Sequence, residues 1–112
     1  MEQNEQLESI MGLIMHGGTA KSHAVEAIAL AKEGNFAAAK EKLRIADEEL
    51  IHTHHAQSGM LTKEAQGQKI PFSLLLVHGQ DHLMTSITFV DLAKEIVSLY
   101  EQLKYGNKTG CD

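Results

Sequence analysis

The residues best suited to chemistry lie in one run of five, His78-Gly79-Gln80-Asp81-His82. An imidazole with its ordinary pKa of about 6.5 is largely neutral near pH 7, so each histidine offers a ring nitrogen as a nucleophile or a metal ligand. Residues four apart share one face of an α-helix, which places His78 beside His82. A single histidine on an apolar face is usually hydrogen-bonded and inert. Two histidines with a carboxylate and an amide so close together favour a functional site.

The run lies inside a stretch whose apolar side chains surround the whole circumference of a predicted helix. A helix that is apolar all round must be buried all round, and two helices of the same chain cannot cover every side. We therefore expect this stretch to pack against other copies in a homo-oligomer, with the polar groups pointing inward. Asp81, buried beside its symmetry mates, would need a proton or a shared cation. The apolar residues are Leu74, Leu75, Leu76, Val77, Leu83, Met84, Ile87, Phe89 and Val90.

Two breaks in the chain divide it into three long helical segments. Gly34 suits the left-handed end of a first helix, and Asn35 suits the N-cap of a second. Gly67 can close the second helix, and Pro71 fits the first turn of a third, where its missing N–H is not needed. The short connections predict an all-α, antiparallel three-helix bundle forming one domain over residues 1–105. The predicted helices cover about 3–33, 36–66 and 71–104, followed by a flexible polar tail, 106–112.

The helical segments carry further packing signals. Gly17 and Gly18 each cost roughly 1 kcal/mol in a helix interior, so they mark a kink or a close approach of another backbone. The second segment has an ordinary amphipathic pattern, built on Leu43, Ala46, Leu50, Ala56 and Leu61. The end of the third segment shows an apolar face of Leu92, Ile96, Leu99 and Leu103 opposite Asp91, Lys94, Ser98 and Glu101.

Composition excludes several classes of function. The 112 residues include 43% apolar and 22% charged residues, as in an ordinary soluble domain. A formal charge of −5 gives no basic surface for a nucleic-acid backbone. The N-terminus lacks the pattern of a signal peptide, and no apolar run approaches the roughly 20 residues of a membrane span, so we expect a cytoplasmic protein without membrane insertion. Cys111 is interpreted as incidental.

Longer motifs in the sequence resemble those of the lactose/cellobiose enzyme IIA family of the bacterial sugar phosphotransferase system. The HGQDHLMT run at 78–85 is the most specific, and the MLTKEA run at 60–65 precedes it. The resemblance covers nearly all of the chain except the first residues and the tail. Thr19 departs from it, because Asn or Asp is expected there. The other matching residues are Gly18, Ala20, Lys21, Ser22, Glu33, Gly34, Asn35, Phe36, Gly67, Pro71 and Ser73.

The resemblance implies a homotrimeric phosphocarrier that serves the uptake of a β-linked disaccharide. The histidine matching His78 would take a phosphoryl group on Nε2 from the phosphocarrier HPr and give it to enzyme IIB, while enzyme IIC moves the sugar. The resemblance also implies that Asp81 meets its two symmetry mates around one magnesium ion, and oxygen ligands suit such a hard cation. We expect His82 and Gln80 to donate hydrogen bonds to the phosphoryl group. On a helical wheel Gln80 lies opposite His78, so it would have to act across a subunit boundary.

Other functions remain open at the level of sequence. A metal-binding helical bundle could combine His78 and His82 with His52, His54 and His55. A histidine phosphotransfer domain of a two-component relay is also a helical bundle, but its His-x-x-Lys-Gly pattern has Lys where this chain has Asp81. A purely structural bundle is a third alternative. The IIA component does not bind sugar, so lactose, cellobiose and chitobiose all remain possible.

Overall fold

A computed structural model describes residues 2–106, and their side chains from Glu5 onward, as three long α-helices. They are α1 (Glu2–Lys32), α2 (Phe36–Ala65) and α3 (Leu74–Tyr105). The bundle they form measures 62 × 22 × 19 Å. The prediction of an all-helical, three-helix chain is confirmed. Most of the predicted tail at 106–112, with Cys111, lies outside the described residues.

Ion pairs between the helices show that neighbours along the chain run antiparallel. Lys42 Nζ lies 2.7 Å from Glu26 Oε2, and His16 Nδ1 lies 2.5 Å from Glu49 Oε2. The residue that comes earlier in α1 therefore pairs with the residue that comes later in α2. The hydrogen bond from Lys42 lowers the pKa of the Glu26 carboxyl below its ordinary value. The same order holds between α2 and α3, where Lys40 pairs with Glu101 and Asp47 with Lys94.

The first connection follows the sequence prediction closely. Gly34 has a φ of +87°, a left-handed conformation that a residue with a side chain rarely adopts. The N–H groups of Gly34 and Asn35 donate to the carbonyls of Ala31 and Leu30, at 3.0 and 2.9 Å, which closes α1 with a Schellman motif. The Asn35 side chain then accepts from the N–H of Ala38 and caps α2. One glycine and one asparagine therefore reverse the chain.

The second connection is longer than predicted. Gly67 ends α2 with a φ of +89°, as expected. The expectation that Pro71 lies in the first turn of α3 is wrong, because α3 begins at Leu74. The Ser73 hydroxyl accepts a 3.0 Å hydrogen bond from the N–H of Leu76, and Ser73 itself has an extended backbone. A serine N-cap thus fixes the start of the helix, and Pro71 lies in the non-helical connection before it.

The core is built mainly from small side chains, which lets the three helices approach closely. Two sequence assignments need correction. Leu61 is 59% exposed, whereas Thr53 is buried and its hydroxyl donates to the carbonyl of Leu50 at 2.9 Å. Leu92, Leu99 and Leu103 are exposed, because α3 turns the face with Val90, Ala93 and Val97 toward the core. The main core cluster contains Ala20, Ala24, Ala27, Ala31, Phe36, Ala39, Leu43, Ala46, Val90, Ala93 and Val97.

One face of α3 leaves a row of large apolar side chains uncovered along the bundle. Leu74 is 82% exposed, Leu92 56% and Leu103 67%. Alternating steps of three and four residues run along this face, as on a helix that packs against another helix. We call Leu74, Asp81, Thr85, Thr88, Leu92, Leu99 and Leu103 the outer face of α3.

Over residues 2–106 no helix is long and apolar enough to cross a membrane.

The adjacent glycines of α1 have different surroundings. The helix continues through both of them. A Cβ atom added to Gly17 would lie 3.2 Å from Ser86 Oγ and 3.4 Å from the His82 carbonyl oxygen, so the backbones of α1 and α3 come close here. A Cβ added to Gly18 would meet nothing within 4 Å. Gly17 therefore marks a close approach of α3, one of the two outcomes that the sequence suggested.

This difference predicts opposite consequences for two neighbouring substitutions. Gly18→Ala should raise the free energy of unfolding by up to about 1 kcal/mol, because alanine is the better helix former and its methyl group has space. Gly17→Ala should lose that gain, since the methyl group presses on the α3 backbone and on Ser86. Urea unfolding followed by circular dichroism measures both. Equal stabilisation by the two variants would contradict the close contact at Gly17.

Candidate functional site

His78 and His82 form a contacting pair near the N-terminal end of α3. Their ring centroids are 4.4 Å apart and the ring planes meet at 79°, an edge-to-face arrangement. The His78 side chain is exposed, whereas His82 is half-buried. The structure thus brings together the two histidines that the sequence predicted. His78 is accessible to a partner molecule, and the His82 ring contacts it from the side of the bundle interior.

The orientation of this pair depends on the contact between α1 and α3. Gly79 is buried, and a Cβ on it would lie 3.3 Å from side-chain atoms of both Ile10 and Leu13. The α3 backbone is therefore pressed directly against α1 at this position. Because successive helical residues are about 100° apart, His78 and Gln80 leave this contact in nearly opposite directions. Gly79 thus separates the exposed histidine from its amide neighbour.

Gln80 faces α2 rather than His78. The Gln57 amide donates to Gln80 Oε1 at 2.7 Å, and Gln80 Nε2 lies 3.9 Å from the Met60 sulfur. Gln57 also lies 3.8 Å from the Met84 sulfur. Within one chain the structure does not bring Gln80 to His78, as the helical wheel indicated. Sequence reasoning missed Gln57, and no spacing rule points to it because its partner lies on another helix.

Asp81 lies on the outer face of α3, one residue before the half-buried His82. In a single chain its side chain is exposed, so its burial beside symmetry mates stays a prediction about the oligomer. The backbone carbonyl of Asp81 accepts a 2.9 Å hydrogen bond from the Thr85 hydroxyl. The carboxylate has no ion pair or hydrogen bond with residues 5–106. Its oxygens are free for a hard cation, and the chemistry of this donor therefore fits magnesium.

Two polar atoms behind the histidine pair are buried without a hydrogen-bond partner. They are His82 Nδ1 and Ser86 Oγ, which belong to residues one helical turn apart. Ser86 is completely buried at the Gly17 contact. Sequence reasoning missed this serine, although its spacing of four residues from His82 was a signal. The interior side of the histidine pair is therefore polar, in contrast to the apolar core around it.

The remaining histidines do not join the pair on α3. His52 contacts His16 of α1, with ring centroids 5.5 Å apart, and His16 binds Glu49. His54 and His55 are exposed. Across residues 5–106, no three His, Cys, Asp or Glu side chains are grouped closely enough to hold a metal ion. The separation follows from the bundle, because α2 turns the His52 side toward α1 and the Gln57 side toward α3.

Comparisons with known proteins agree with the helical geometry. Residues 8–101 match the family model described as the PTS system, lactose/cellobiose-specific IIA subunit. The lichenan-specific phosphotransferase enzyme IIA component of Bacillus subtilis is 48% identical over 101 residues, covering 89% of this chain and 92% of the relative. The matched region contains all three helices almost completely, together with the histidine pair.

Solved structures extend the likeness to three dimensions. The PTS cellobiose-specific enzyme IIA of Bacillus anthracis superposes with a TM-score of 0.86 at 40% identity, covering 89% of this chain and 92% of that one. The IIA(chitobiose) of Escherichia coli, solved in complex with HPr, superposes with a TM-score of 0.73 at 41% identity, covering 88% and 96%. From its sequence and its fold, this chain belongs to the lactose/cellobiose-specific IIA family of the phosphotransferase system.

Proposed function

We propose that this phosphotransferase-system component is a cytoplasmic phosphocarrier that accepts a phosphoryl group from phospho-HPr on His78. It then donates the group to enzyme IIB during uptake of a β-linked disaccharide through enzyme IIC. The observation that carries the proposal is the exposed His78 ring in contact with the half-buried His82, within a chain of this family. A relative has been solved in complex with HPr, which supports HPr over a two-component partner as the phosphoryl donor.

The geometry of the pair suits phosphoryl transfer. A neutral His78 ring presents Nε2 to phosphorus, and the bond from phosphorus to the donor breaks as the bond to Nε2 forms. Transfer of this kind relies on positioning and on hydrogen-bond donors for the phosphoryl oxygens more than on covalent assistance by the protein. His82, with its ring centroid 4.4 Å from that of His78, is close enough to supply one donor. Gln80 is proposed as a second donor, from an adjacent subunit.

The outer face of α3 supports a homotrimer. It carries large exposed leucines at both ends, Leu74 at one and Leu92, Leu99 and Leu103 at the other, and the described part of the chain does not cover them. Three copies related by a rotation axis would bring these faces together and place Asp81 of each chain near the axis. A magnesium ion bound by the three Asp81 carboxylates would offset their mutual repulsion. His78 lies beside this face, so a neighbouring subunit would border the histidine pair.

Partner recognition by a carrier favours a small, adaptable surface, because the complex must form and dissociate quickly. Met84 is 52% exposed at the edge of the outer face, and Met60 is half-exposed near Gln80. Their flexible thioethers suit contact with two different partners. Leu83, the residue before Met84, is fully buried and belongs to the core. We propose the Met60 and Met84 region as part of the HPr and IIB contact.

The phosphoryl group should be found on His78. Incubation with phosphoenolpyruvate, enzyme I and HPr should add one acid-labile phosphoryl group per chain, and His78→Ala should abolish the gain, because His78 is the exposed ring of the histidine pair. Intact-mass spectrometry measures both. His54→Ala, which removes an exposed histidine from α2, should behave like the natural protein. No mass gain in the natural protein, with HPr shown to be phosphorylated, would overturn the proposal.

Gln80→Leu tests the proposed donor from an adjacent subunit. Its rate of transfer from phospho-HPr should fall by about a hundredfold, the low side of the loss expected for one transition-state donor. Gln57→Leu is the comparison variant, because it breaks the amide pair within the chain but keeps the Gln80 amide itself. Quenched-flow sampling with radiolabelled phosphate gives the rates. An unchanged rate in Gln80→Leu would remove Gln80 from the phosphoryl site.

The outer face of α3 should control assembly. We expect light scattering to give the mass of three chains for the natural protein and of one chain for Leu92→Lys, because a buried, unpaired ammonium disfavours the interface. Leu92 lies outside the core, so Leu92→Lys should keep its helical circular dichroism. Ile51→Lys makes the same change at an exposed position of α2 and should remain a trimer.

The same samples test the shared cation. A chelator should lower the thermal midpoint of the natural trimer and leave that of Asp81→Asn unchanged, since the amide variant has no carboxylates to repel one another. A natural protein that sediments as a single chain would contradict the trimer. A trimer whose thermal midpoint changes with neither chelator nor added magnesium would contradict the shared cation but not the trimer.

A further inference from the structure

The unpartnered atoms behind the histidine pair are the strongest unexplained feature of the molecule. His82 Nδ1 and Ser86 Oγ are both buried, both able to form hydrogen bonds, and one helical turn apart on α3. A buried polar group without a partner destabilises a fold, and such groups are rare in native proteins. A single hydrogen bond between these two atoms would satisfy both groups at once.

The packing around Ser86 confines its hydroxyl to this region. The Cβ position of Gly17 is 3.2 Å from Ser86 Oγ, so α1 closes the space on that side with backbone alone. Glycine at this position leaves room for the hydroxyl to rotate, whereas any larger residue would press on it. The contact with α1 thus keeps the serine beside His82 and away from solvent, since Ser86 is fully buried.

The geometry points to Ser86 as a positioning residue for the phosphoryl site: its hydroxyl donates a hydrogen bond to His82 Nδ1. The two residues are one helical turn apart on α3, the spacing at which side chains on one helix face meet. A neutral imidazole has one donor nitrogen and one acceptor nitrogen. When Nδ1 accepts from Ser86, the ring proton resides on Nε2. His82 then presents an N–H donor at the ring edge opposite the serine, where it can serve a phosphoryl group on His78.

The competing partner for Ser86 is the carbonyl four residues earlier, which is that of His82. Serine in a helix often donates to this carbonyl. Here the Thr85 hydroxyl already lies 3.3 Å from it, besides its 2.9 Å bond to the carbonyl of Asp81. A bond from Ser86 to the same oxygen would leave His82 Nδ1 buried and unsatisfied. A hydrogen bond from Ser86 to the ring nitrogen instead gives both unpaired groups a partner.

Nitrogen NMR of the histidine rings tests this bond directly in the unphosphorylated protein. At about pH 8.5, well above the ordinary histidine pKa, the His82 ring should show the Nε2–H tautomer, with the Nδ1 resonance displaced by an accepted hydrogen bond. Ser86→Ala should abolish that displacement, and Ser86→Thr, which keeps a hydroxyl, should retain it. Alanine is a good helix former, so the first variant is expected to fold. The His78 ring is the internal control and should not change.

The catalytic consequence rests on the proposed phosphocarrier function and has its own measurement. Ser86→Ala should slow transfer from phospho-HPr by about tenfold, the lower end of what loss of a group that orients a histidine costs, with an unchanged KM for HPr. Ser86→Thr should restore the rate. Ser98→Ala, a serine-to-alanine change further along α3, should transfer normally. A change in KM alone would contradict the positioning role.

The two measurements separate two kinds of failure. A His82 ring on the Nδ1–H tautomer, or one whose Nδ1 resonance ignores Ser86→Ala, overturns the hydrogen bond even if His78 is phosphorylated normally. The expected resonances in a protein that HPr never phosphorylates support the hydrogen bond and overturn the phosphocarrier proposal instead. Normal phosphorylation with equal rates in the natural protein and Ser86→Ala overturns the catalytic consequence.

Discussion

The close packing of α1 on α3 at two glycines is the constraint on which the rest of this structure depends. At Gly79 the α3 backbone meets Ile10 and Leu13, and at Gly17 the α1 backbone meets α3 beside His82 and Ser86. A Cβ atom at either position would force the neighbouring atoms to give by a few tenths of an ångström. Because both glycines lie at the level of the histidine pair, the contact fixes the rotation of α3 at His78 and His82. The alanines of the main core continue the same close approach further along the bundle.

This rotation gives the three sides of α3 different tasks. The Gly79 side is buried against α1, the Gln80 side binds Gln57 of α2, and the remaining side carries Asp81 and the exposed leucines. His78 stands between the buried side and the open one. A nucleophile in this place is accessible to a partner and still held by a rigid helix. In the proposed trimer, a neighbouring subunit would cover the surface beside His78 and exclude water from the phosphoryl group.

The sequence predicted the helices and their boundaries better than the faces that they bury. Gly34, Asn35 and Gly67 act locally, so their conformations follow from the chain itself. Pro71 and Ser73 are competing start signals, and the serine cap prevails. The orientation of α3 escaped prediction because its N-terminal half is apolar on every side, so periodicity gives no direction. The pairing of His78 with His82 was predictable from spacing alone, whereas Gln57 and Gly17 act from other helices.

Under the proposed function, the two histidines would meet two opposing demands on a phosphoryl carrier. A carrier must offer its nucleophile to two different proteins, which requires an exposed ring with few fixed contacts, and His78 meets that condition. It must also stabilise the transferred group by the same donors in both encounters, which requires a ring that does not move. His82 is half-buried, with Nδ1 enclosed near Ser86, and its ring is held at the edge of His78. Because the two rings lie one turn apart on a single helix, His78 can contact different partners while His82 keeps its position beside it.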